Sequence, residues 1–289
     1  MAITAAMVKE LRERTGLGMM ECKKALEETA GDMELAIEEL RKKSALKAAK
    51  KAGRTTADGL LGVRVSDDGK RAALIEVNIE TDFAAKNEKF IGFVDEVLTR
   101  VFESGETDLA KLMSGDIEKR REVLVQEIGE NISVRRAAFF ETPDGQITAY
   151  LHGDNRKAAL VELRGGDMVL GRDVAMHVTA ISPMVVRSDE VPADVLAKER
   201  EIYTAQAAES GKPADIVEKM VEGRVRKFLA EVSLVDQPFV KDPNLTVAKL
   251  LAGAGAECRR FVRFEVGEGI EVEKADFAAE VAAQVQASR

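Results

Sequence analysis

The amino-acid sequence predicts an α+β protein in which a small helical bundle precedes a duplicated core. Apolar residues recur at helical spacing through about the first 40 residues, and runs typical of strands begin near Leu60. The segment GKRAALIEVN at residues 69–78 reads closely against NRKAALVELR at residues 155–164, which indicates an internal repeat. A chain of 289 residues also exceeds the usual size of one domain, so we expect several modules.

Three short helices are predicted at the N-terminus. Thr4 and Asp32 are suitable N-caps for the first and third helices, and residues 15–18 and 30–31 separate the three segments. The positions expected to face inward are Met7, Val8, Leu11, Cys22, Ala25, Leu26, Ala36, Ile37 and Leu40. The next run, RKKSALKAAKKAGR at residues 41–54, is basic and nearly free of large apolar groups. We interpret it as an exposed helical linker, with a phosphate-binding patch as the functional alternative.

Each half of the core is predicted to contain a β-hairpin followed by a helix. In the first half, strands at residues 60–65 and 71–79 flank a turn at residues 67–69. Helical spacing then resumes at Phe90, Phe93, Val94, Val97, Leu98 and Val101, and again at Val123, Leu124 and Ile128. A second echo pairs RRAAFFE at residues 135–141 with RRFVRFE at residues 259–265. We therefore expect two related subdomains with antiparallel sheets.

An inserted helical hairpin interrupts the second half. Pro192 opens the first arm, residues 210–213 form the turn, and the second arm carries an apolar stripe at Val217, Val221, Val225, Phe228 and Val232. We expect this stripe to pack within the chain, with a second copy as the alternative. A short terminal helix capped by Asp276 is expected over residues 274–289. The predicted modules are the bundle with its linker (1–54), the N-subdomain (55–140), the C-subdomain (141–190 and 232–264), the hairpin (191–231) and a terminal module (265–289).

The composition favours a protein partner over a nucleic acid. The net charge is −8, Trp is absent, and aromatic residues make up only 4%, which leaves little basic surface and few stacking platforms. Only Cys22 and Cys258 are present, so no disulfide framework is expected. Charged residues occupy the N-terminal segment where a signal peptide would be apolar. We expect a cytoplasmic protein without a membrane anchor.

Residue patterns typical of catalysis are missing from the sequence. His152 and His177 are the only histidines, and neither has metal-ligand spacing. No phosphate-binding loop motif occurs, and the glycines at residues 253–256 follow a helical segment instead of opening one. Cys22 lies on the apolar side of its predicted helix, which favours a buried structural thiol. We therefore expect no enzyme activity, no cofactor and no metal.

The unusual segment of the core is ETDFAAKN at residues 80–87, which joins the first central strand to its helix. One interpretation is purely structural: Thr81 or Asp82 caps the helix and Phe83 tucks back as a hydrophobic staple. The string DFAA recurs at residues 276–279, where capping explains it sufficiently. The residues alone leave a structural and a functional interpretation open.

Two motifs give the chain a resemblance to the elongation factor Ts family. LRERTGLGMMECKKAL at residues 11–26 resembles the N-terminal signature of that family, and TDFAAKN at residues 81–87 resembles its second signature. Further similar segments lie at residues 149–153, 175–178, 221–224, 237–240 and 263–270, so the resemblance covers essentially the whole chain. The sequence departs from the family pattern at Leu17, Glu21 and Ala84. The small Ala84 gives the turn that carries Phe83 less apolar area to bury.

The resemblance implies a guanine nucleotide exchange factor that binds elongation factor Tu. By similarity, the first three helices form a ubiquitin-associated-like domain that touches the nucleotide domain of the partner with Arg12, Met19 and Met20. Asp82 and Phe83, preceded by Thr81, are implied to push between two helices near the magnesium and phosphate site, which promotes GDP release. The terminal helix is implied to clasp the nucleotide domain.

His152 is implied to contact another domain of the partner, although an ordinary turn histidine is an equal alternative. Self-association through the hairpin, as a homodimer or within a two-plus-two complex, stays open. The alternative function is a ribosome- or nucleic-acid-associated factor that binds RNA with the small helical domain and the basic segment at residues 41–54. A hydrolase or transferase is the third alternative.

Overall fold

A computed structural model describes residues 3–209 and 213–271 of the chain. Its N-terminal part is the predicted helical bundle. Thr4 caps the first helix by accepting a hydrogen bond from the Met7 backbone N–H, and Asp32 caps the third by accepting one from Leu35. The helices are α1 (Ala5–Thr15), α2 (Met19–Glu28) and α3 (Met33–Lys51). Their shared core contains Val8, Leu11, Leu17, Cys22, Ala25, Leu26, Ala36, Ile37 and Leu40. It includes every predicted inward position except Met7, which is partly buried beside it, and it adds Leu17.

The basic segment is helical and largely exposed, as expected, but two of its small residues are buried in the contact with the core. It is the second half of the continuous helix α3, and its Ser44 and Ala48 are each only 1% exposed because they pack against helix α7 (Asp116–Ile128). The Ser44 hydroxyl donates to Gln126 Oε1 over 2.8 Å. Small side chains four residues apart let the two helices approach closely. This contact joins the bundle to the core.

The core contains two antiparallel sheets of three strands each in the described part of the chain. The strands of the first sheet lie in the order β1 (Asp58–Val65), β2 (Arg71–Ile79) and β3 (Ile132–Glu141), and those of the second in the order β4 (Gln146–Leu151), β5 (Lys157–Arg164) and β8 (Glu257–Glu265). The first repeat consists of β1 (Asp58–Val65), β2 (Arg71–Ile79), α4 (Asp82–Ala85), α5 (Glu88–Ser104), α6 (Leu109–Leu112), α7 and β3 (Ile132–Glu141). The second consists of β4 (Gln146–Leu151), β5 (Lys157–Arg164), α8 (Met168–Ile181) and β8 (Glu257–Glu265). The predicted α+β class and the internal repeat are confirmed.

The two sheets pack face to face. Their inner faces contribute matching residues to one core cluster: Leu61, Leu74 and Phe140 from the first sheet, and Ile147, Leu160 and Phe264 from the second. The outer face of the first sheet is covered by α5, whose predicted inward positions are all buried. The outer face of the second is covered by α8. Each sheet is therefore buried on both sides, which explains the near-continuous apolar runs of β2 and β5.

A buried glutamate marks the same irregular position in both central strands. The pairing register shifts directly after Glu76 in β2 and after Glu162 in β5. Glu76 is fully buried and pairs with Arg135 and Arg136, while Glu162 pairs with the arginines of the second RR motif. Burial raises the pKa of Glu76, but hydrogen bonds from the Gly267 backbone, Asn78 and Arg136 outweigh this effect and hold it below its ordinary value.

The second arginine of each RR motif also crosses between the sheets. Arg136 stacks over Phe264 with 4.1 Å between its guanidinium carbon and the ring centroid, and Arg260 stacks over Phe140 at the same distance. Each donates a hydrogen bond to the backbone carbonyl one residue beyond that ring, over 2.9 Å and 3.1 Å respectively. The repeats are thus held together by a reciprocal exchange of contacts.

The inserted segment forms the predicted helical hairpin. Its arms are α9 (Ala193–Ala208) and α10 (Ala214–Val232), and they pack on each other through Ala207, Val221 and Val225. The expected packing within the chain is confirmed for Val221 and Val225, with Val217 partly buried beside them, whereas Phe228 and Val232 are half-buried and lie outside this cluster. The hairpin is followed by β6 (Pro238–Phe239), β7 (Asp242–Thr246) and α11 (Val247–Gly253), which lead into β8.

Several expectations remain untested by this fold. The predicted turn at residues 210–213 lies largely outside the described residues, as does the terminal helix at residues 274–289. The limits of the five modules and self-association through the hairpin stay predictions. Within residues 3–209 and 213–271, no helix is both long and apolar enough to cross a membrane.

Candidate functional site

The turn after β2 places an aromatic ring in solvent. Thr81 adopts an extended backbone and its hydroxyl accepts a hydrogen bond from the Ala84 N–H over 3.2 Å, which caps the single turn of α4. Ala85 points inward and is buried in the core of the first repeat, with Ala84 partly buried beside it. Phe83 lies on the opposite side of this turn and is 81% exposed. The hydrophobic-staple interpretation of Phe83 is therefore wrong, and Thr81 provides the cap.

Asp82 lies beside this ring as an ionised, solvent-exposed carboxylate. Its Oδ2 atom accepts a hydrogen bond from Lys86 Nζ over 2.9 Å, and this bond lowers the pKa of Asp82. The same ammonium group lies 5.4 Å from the centroid of the Phe83 ring. The turn thus presents a carboxylate and an aromatic face together, both attached to a helix start that is anchored in the core.

The helical bundle presents a second exposed apolar surface. Met19 and Met20 begin α2 and are 60% and 73% exposed, although their adjacent positions required only one of them to face outward. Together with Val8, Arg12 and Lys23 they line a groove of 360 Å³. Flexible methionines with a cationic rim suit a protein partner that carries acidic groups around apolar ones.

A second depression lies between the helical bundle and the core. Arg12, Met19 and Lys89 line a depression of 640 Å³ between the α1–α2 loop and the start of α5. Lys89 follows the Phe83 turn directly in the chain and pairs with Glu127 of α7 over 2.7 Å. The structure thus places Arg12 and Met19 beside the start of α5.

The two histidines occupy different environments. His152 is exposed in the turn between β4 and β5, where its Nδ1 lies 3.1 Å from Asp154 Oδ1. The structure places it in the second repeat. His177 is fully buried on α8, where its ring nitrogens contact Gln237 Oε1 over 2.8 Å and the Val240 backbone N–H over 3.1 Å. Burial lowers the pKa of His177, so it serves as a neutral core residue.

The two thiols are also core groups. Cys22 is buried in the bundle, as the sequence analysis expected, and burial raises its pKa. Burial raises the pKa of Cys258 to about 12. No group of three or more acidic, histidine or cysteine side chains in the described part of the chain could hold a metal ion.

Sequence reasoning missed two residues at the Phe83 turn. Glu130 and Asn131 lie between α7 and β3, and they hydrogen-bond to Thr81 and Glu80 just after the neighbouring strand β2. They lie about 50 positions away from their partners in the chain, and no local motif joins the two segments. The sequence signal was therefore confined to TDFAAKN.

The exposed ring, the methionine surface and the anchored helix starts define a class of protein that acts by binding another protein. Comparison with known proteins gives the family. A family model described as Elongation factor TS matches residues 80–268. The chain is 60% identical over 282 residues to elongation factor Ts of Marinobacter nauticus, covering 98% of this chain and 97% of that protein.

Two further relatives match at full length. The chain is 58% identical over 289 residues to elongation factor Ts of Saccharophagus degradans, with 100% of both chains covered. It is 58% identical over 285 residues to that of Hahella chejuensis, with 99% of both covered. The chain belongs to the elongation factor Ts family, the nucleotide exchange factors of elongation factor Tu in translation elongation.

Proposed function

We propose that the chain binds elongation factor Tu and speeds its release of GDP by inserting Asp82 and Phe83 beside the magnesium and phosphate site. The observation that carries this proposal is the exposure of Phe83. An aromatic ring that is 81% exposed on a rigid, capped turn adds little to the stability of the isolated chain. Its position is explained if the ring is buried only in a complex.

Burial of the Phe83 ring is coupled to opening of the partner. Burying a phenylalanine side chain contributes about 2 kcal/mol, equivalent to roughly a 30-fold change in an equilibrium constant. This contribution favours GDP release only if the ring fits between helices that have separated. The partner with GDP bound and closed helices then gains less from binding than the open partner does. The ring therefore converts binding energy into distortion of the nucleotide site.

Asp82 adds an electrostatic contribution to the same step. Its carboxylate has a lowered pKa and is ionised at neutral pH. Placed near a magnesium ion and a diphosphate, it attracts the cation and repels the phosphate oxygens. Both effects weaken the contact between the ion and the nucleotide. The chain itself needs no cofactor and forms no covalent bond in this step.

The remaining predicted contacts provide affinity that does not depend on the nucleotide. Arg12, Met19 and Met20 are proposed to hold the nucleotide domain of the partner, and His152 to contact a different domain. Contacts that are made equally in the open and the closed partner strengthen binding without speeding release. They hold the Phe83 turn against its target.

Labelled-GDP release from purified elongation factor Tu tests the proposal. We expect the chain to accelerate release and to form a complex with the nucleotide-free partner in gel filtration. Phe83→Ala is expected to slow release at saturating factor by roughly 30-fold with an unchanged melting temperature, because the ring is exposed. If elongation factor Tu releases GDP as fast with this variant as with the parent, insertion of the Phe83 ring is not the cause of release.

A further inference from the structure

We propose that Glu130 is a positioning residue that holds the Phe83 turn ready for insertion, an inference that rests on the proposed function. Glu130 lies in the turn between α7 and β3. Its Oε2 atom accepts a hydrogen bond from the Thr81 backbone N–H over 2.9 Å, and its Oε1 atom accepts one from the Thr81 hydroxyl over 2.8 Å. Both carboxylate oxygens thus bind the residue immediately before Asp82.

The hydroxyl of Thr81 connects Glu130 to the turn that carries Phe83. A hydroxyl group has a single hydrogen to donate, and here it is directed to Glu130. A lone pair of the same oxygen is then aimed at the Ala84 N–H, which it accepts over 3.2 Å. The helix that carries Phe83 has only four residues, too few to be stable on its own. The bonds at its first turn therefore determine where the ring points.

The neighbouring Asn131 fixes the turn that carries Glu130. Its backbone N–H donates to Glu80 Oε1 over 2.6 Å. Its side-chain amide donates to the backbone carbonyls of Ala52 and Arg54 over 3.3 Å and 3.0 Å, directly after the end of α3. Because Asn131 is only 4% exposed, these bonds are shielded from water. The turn that carries Phe83, the α7–β3 turn and the end of the helical bundle are thus joined by one network of hydrogen bonds.

The hydrogen bonds from Thr81 to the Glu130 carboxylate are called the clamp below. The second repeat shows that the fold does not require this clamp. Placing the RR motif at 135–136 over the one at 259–260 makes Glu130 correspond to Ala254 and Asn131 to Gly255. There the chain before α8 approaches so closely that a Cβ atom built on Gly165 would lie 2.3 Å from the Gly255 carbonyl oxygen. The second repeat therefore forms its sheet and the start of α8 without a carboxylate at this place. The clamp accompanies the repeat that carries the exposed ring.

A fixed ring should speed exchange more than it strengthens initial binding. A side chain that is already held in its bound orientation loses less conformational entropy on insertion. Loss of the clamp leaves the methionine surface and the other contacts intact. We therefore expect loss of Glu130 to lower the maximal GDP-release rate, while the factor concentration that gives half of that rate changes little.

A double-mutant cycle with Phe83 tests the inference. Glu130→Ala is expected to lower the saturating GDP-release rate by about tenfold, the size of one lost charge-assisted hydrogen bond. Glu130→Gln keeps one acceptor oxygen and is expected to lie between Glu130→Ala and the parent. In the Phe83→Ala background, adding Glu130→Ala should cost less than about threefold, because a clamp has little effect when the ring is gone. Glu141→Ala removes an exposed carboxylate at the far end of β3 and serves as the matched control.

The outcomes separate this inference from the proposed function. If Phe83→Ala speeds GDP release as much as the parent does, the proposed insertion of Phe83 is wrong. If Phe83→Ala is slow but Glu130→Ala is as fast as Glu141→Ala, the positioning role is overturned. It is also overturned if the effects of Glu130→Ala and Phe83→Ala multiply, because independent residues contribute independently. Should Glu130→Ala fail to fold, Glu130→Gln in both backgrounds decides between these outcomes.

Discussion

In both repeats a capped helical turn follows the central strand: the short helix α4, which precedes the covering helix α5 in the first repeat, and the start of the covering helix α8 in the second. The two turns present different side chains. Thr81 caps the first helix start and Asp167 caps the second, and the residues two positions later, Phe83 and Val169, are 81% and 69% exposed. The first turn is held by the Glu130 carboxylate. The second turn is held by close backbone packing of glycines.

This comparison separates what the fold needs from what the function needs. The cap and the outward position occur in both repeats, so they follow from the strand-to-helix connection itself. The aromatic ring, the neighbouring carboxylate of Asp82 and the clamp occur only in the first repeat among the described residues. We infer that the fold supplies two similar exposed turns, one in each repeat, and that nucleotide exchange uses the turn of the first repeat.

The largest expected effect is a difference between the two buried glutamates in the free energy of unfolding. Glu76 is fully buried and accepts hydrogen bonds from Gly267, Asn78 and two arginines, whereas the side chain of Glu162 keeps 5% exposure. Glu76→Ala leaves two arginines without their buried partner and should lower the free energy of unfolding by about 3–5 kcal/mol. Glu162→Ala should cost less. Urea unfolding measures both, and equal costs would show that the two repeats contribute alike.

The next effect concerns exchange at the two helix starts. Phe83→Ala should slow saturated GDP release by roughly 30-fold, or about 2 kcal/mol, because it removes the inserted ring. Val169→Ala removes apolar area at the corresponding position and should leave the saturated rate within about twofold. The ratio of the two rates is the readout. A similar loss of the saturated GDP-release rate in both variants would contradict the distinction between the two turns.

A smaller effect is expected from acid. Burial raises the pKa of Glu76 and Glu162, but hydrogen bonds, from Gly267 and Thr142 respectively and from the arginines, leave both pKa values below the ordinary 4.5. The unfolded chain then binds more protons, so this stabilisation is present above pH 4.5 and is lost as the pH falls below it. Urea midpoints should drop in this range. The drop should be shallower in the Glu76→Gln/Glu162→Gln double variant, and an equal slope would contradict this assignment.

The smallest effect concerns the caps. Asp167 Oδ1 accepts from the Leu170 N–H over 2.8 Å at the start of α8. Asp167→Ala should lower the free energy of unfolding by about 1 kcal/mol and leave saturated GDP release unchanged. Thr81→Ala removes both a cap and the link to Glu130, so it should slow release as well. Exchange kinetics and thermal unfolding of the two variants check this difference, which disappears if both caps are only structural.

Local patterns in the sequence were sufficient to predict most of the fold. The internal repeat predicted two sheets of the same construction, because side chains buried on both faces leave the matching apolar runs of β2 and β5. The caps Thr4 and Asp32 predicted helix starts, because capping depends on neighbouring residues. TDFAAKN directed attention to the turn that carries Phe83.

Contacts between distant segments could not be predicted in this way. The packing of Ser44 against α7 depends on small side chains that resemble a linker when read alone. The stacking of Arg136 on Phe264 joins residues from different repeats. The exposure of Phe83 follows from the burial of Ala85, which only the assembled core shows. Such contacts are set by the tertiary structure and leave no periodic signal.

The most direct test of the account is the thermodynamic coupling between this chain and GDP on elongation factor Tu. The factor by which the chain weakens GDP binding must equal the factor by which GDP weakens binding of the chain. We predict that Phe83→Ala reduces this shared factor by roughly 30-fold when it is measured from either side by equilibrium titration. A Phe83→Ala variant that binds more weakly with and without GDP, but keeps the same coupling factor, would contradict the account.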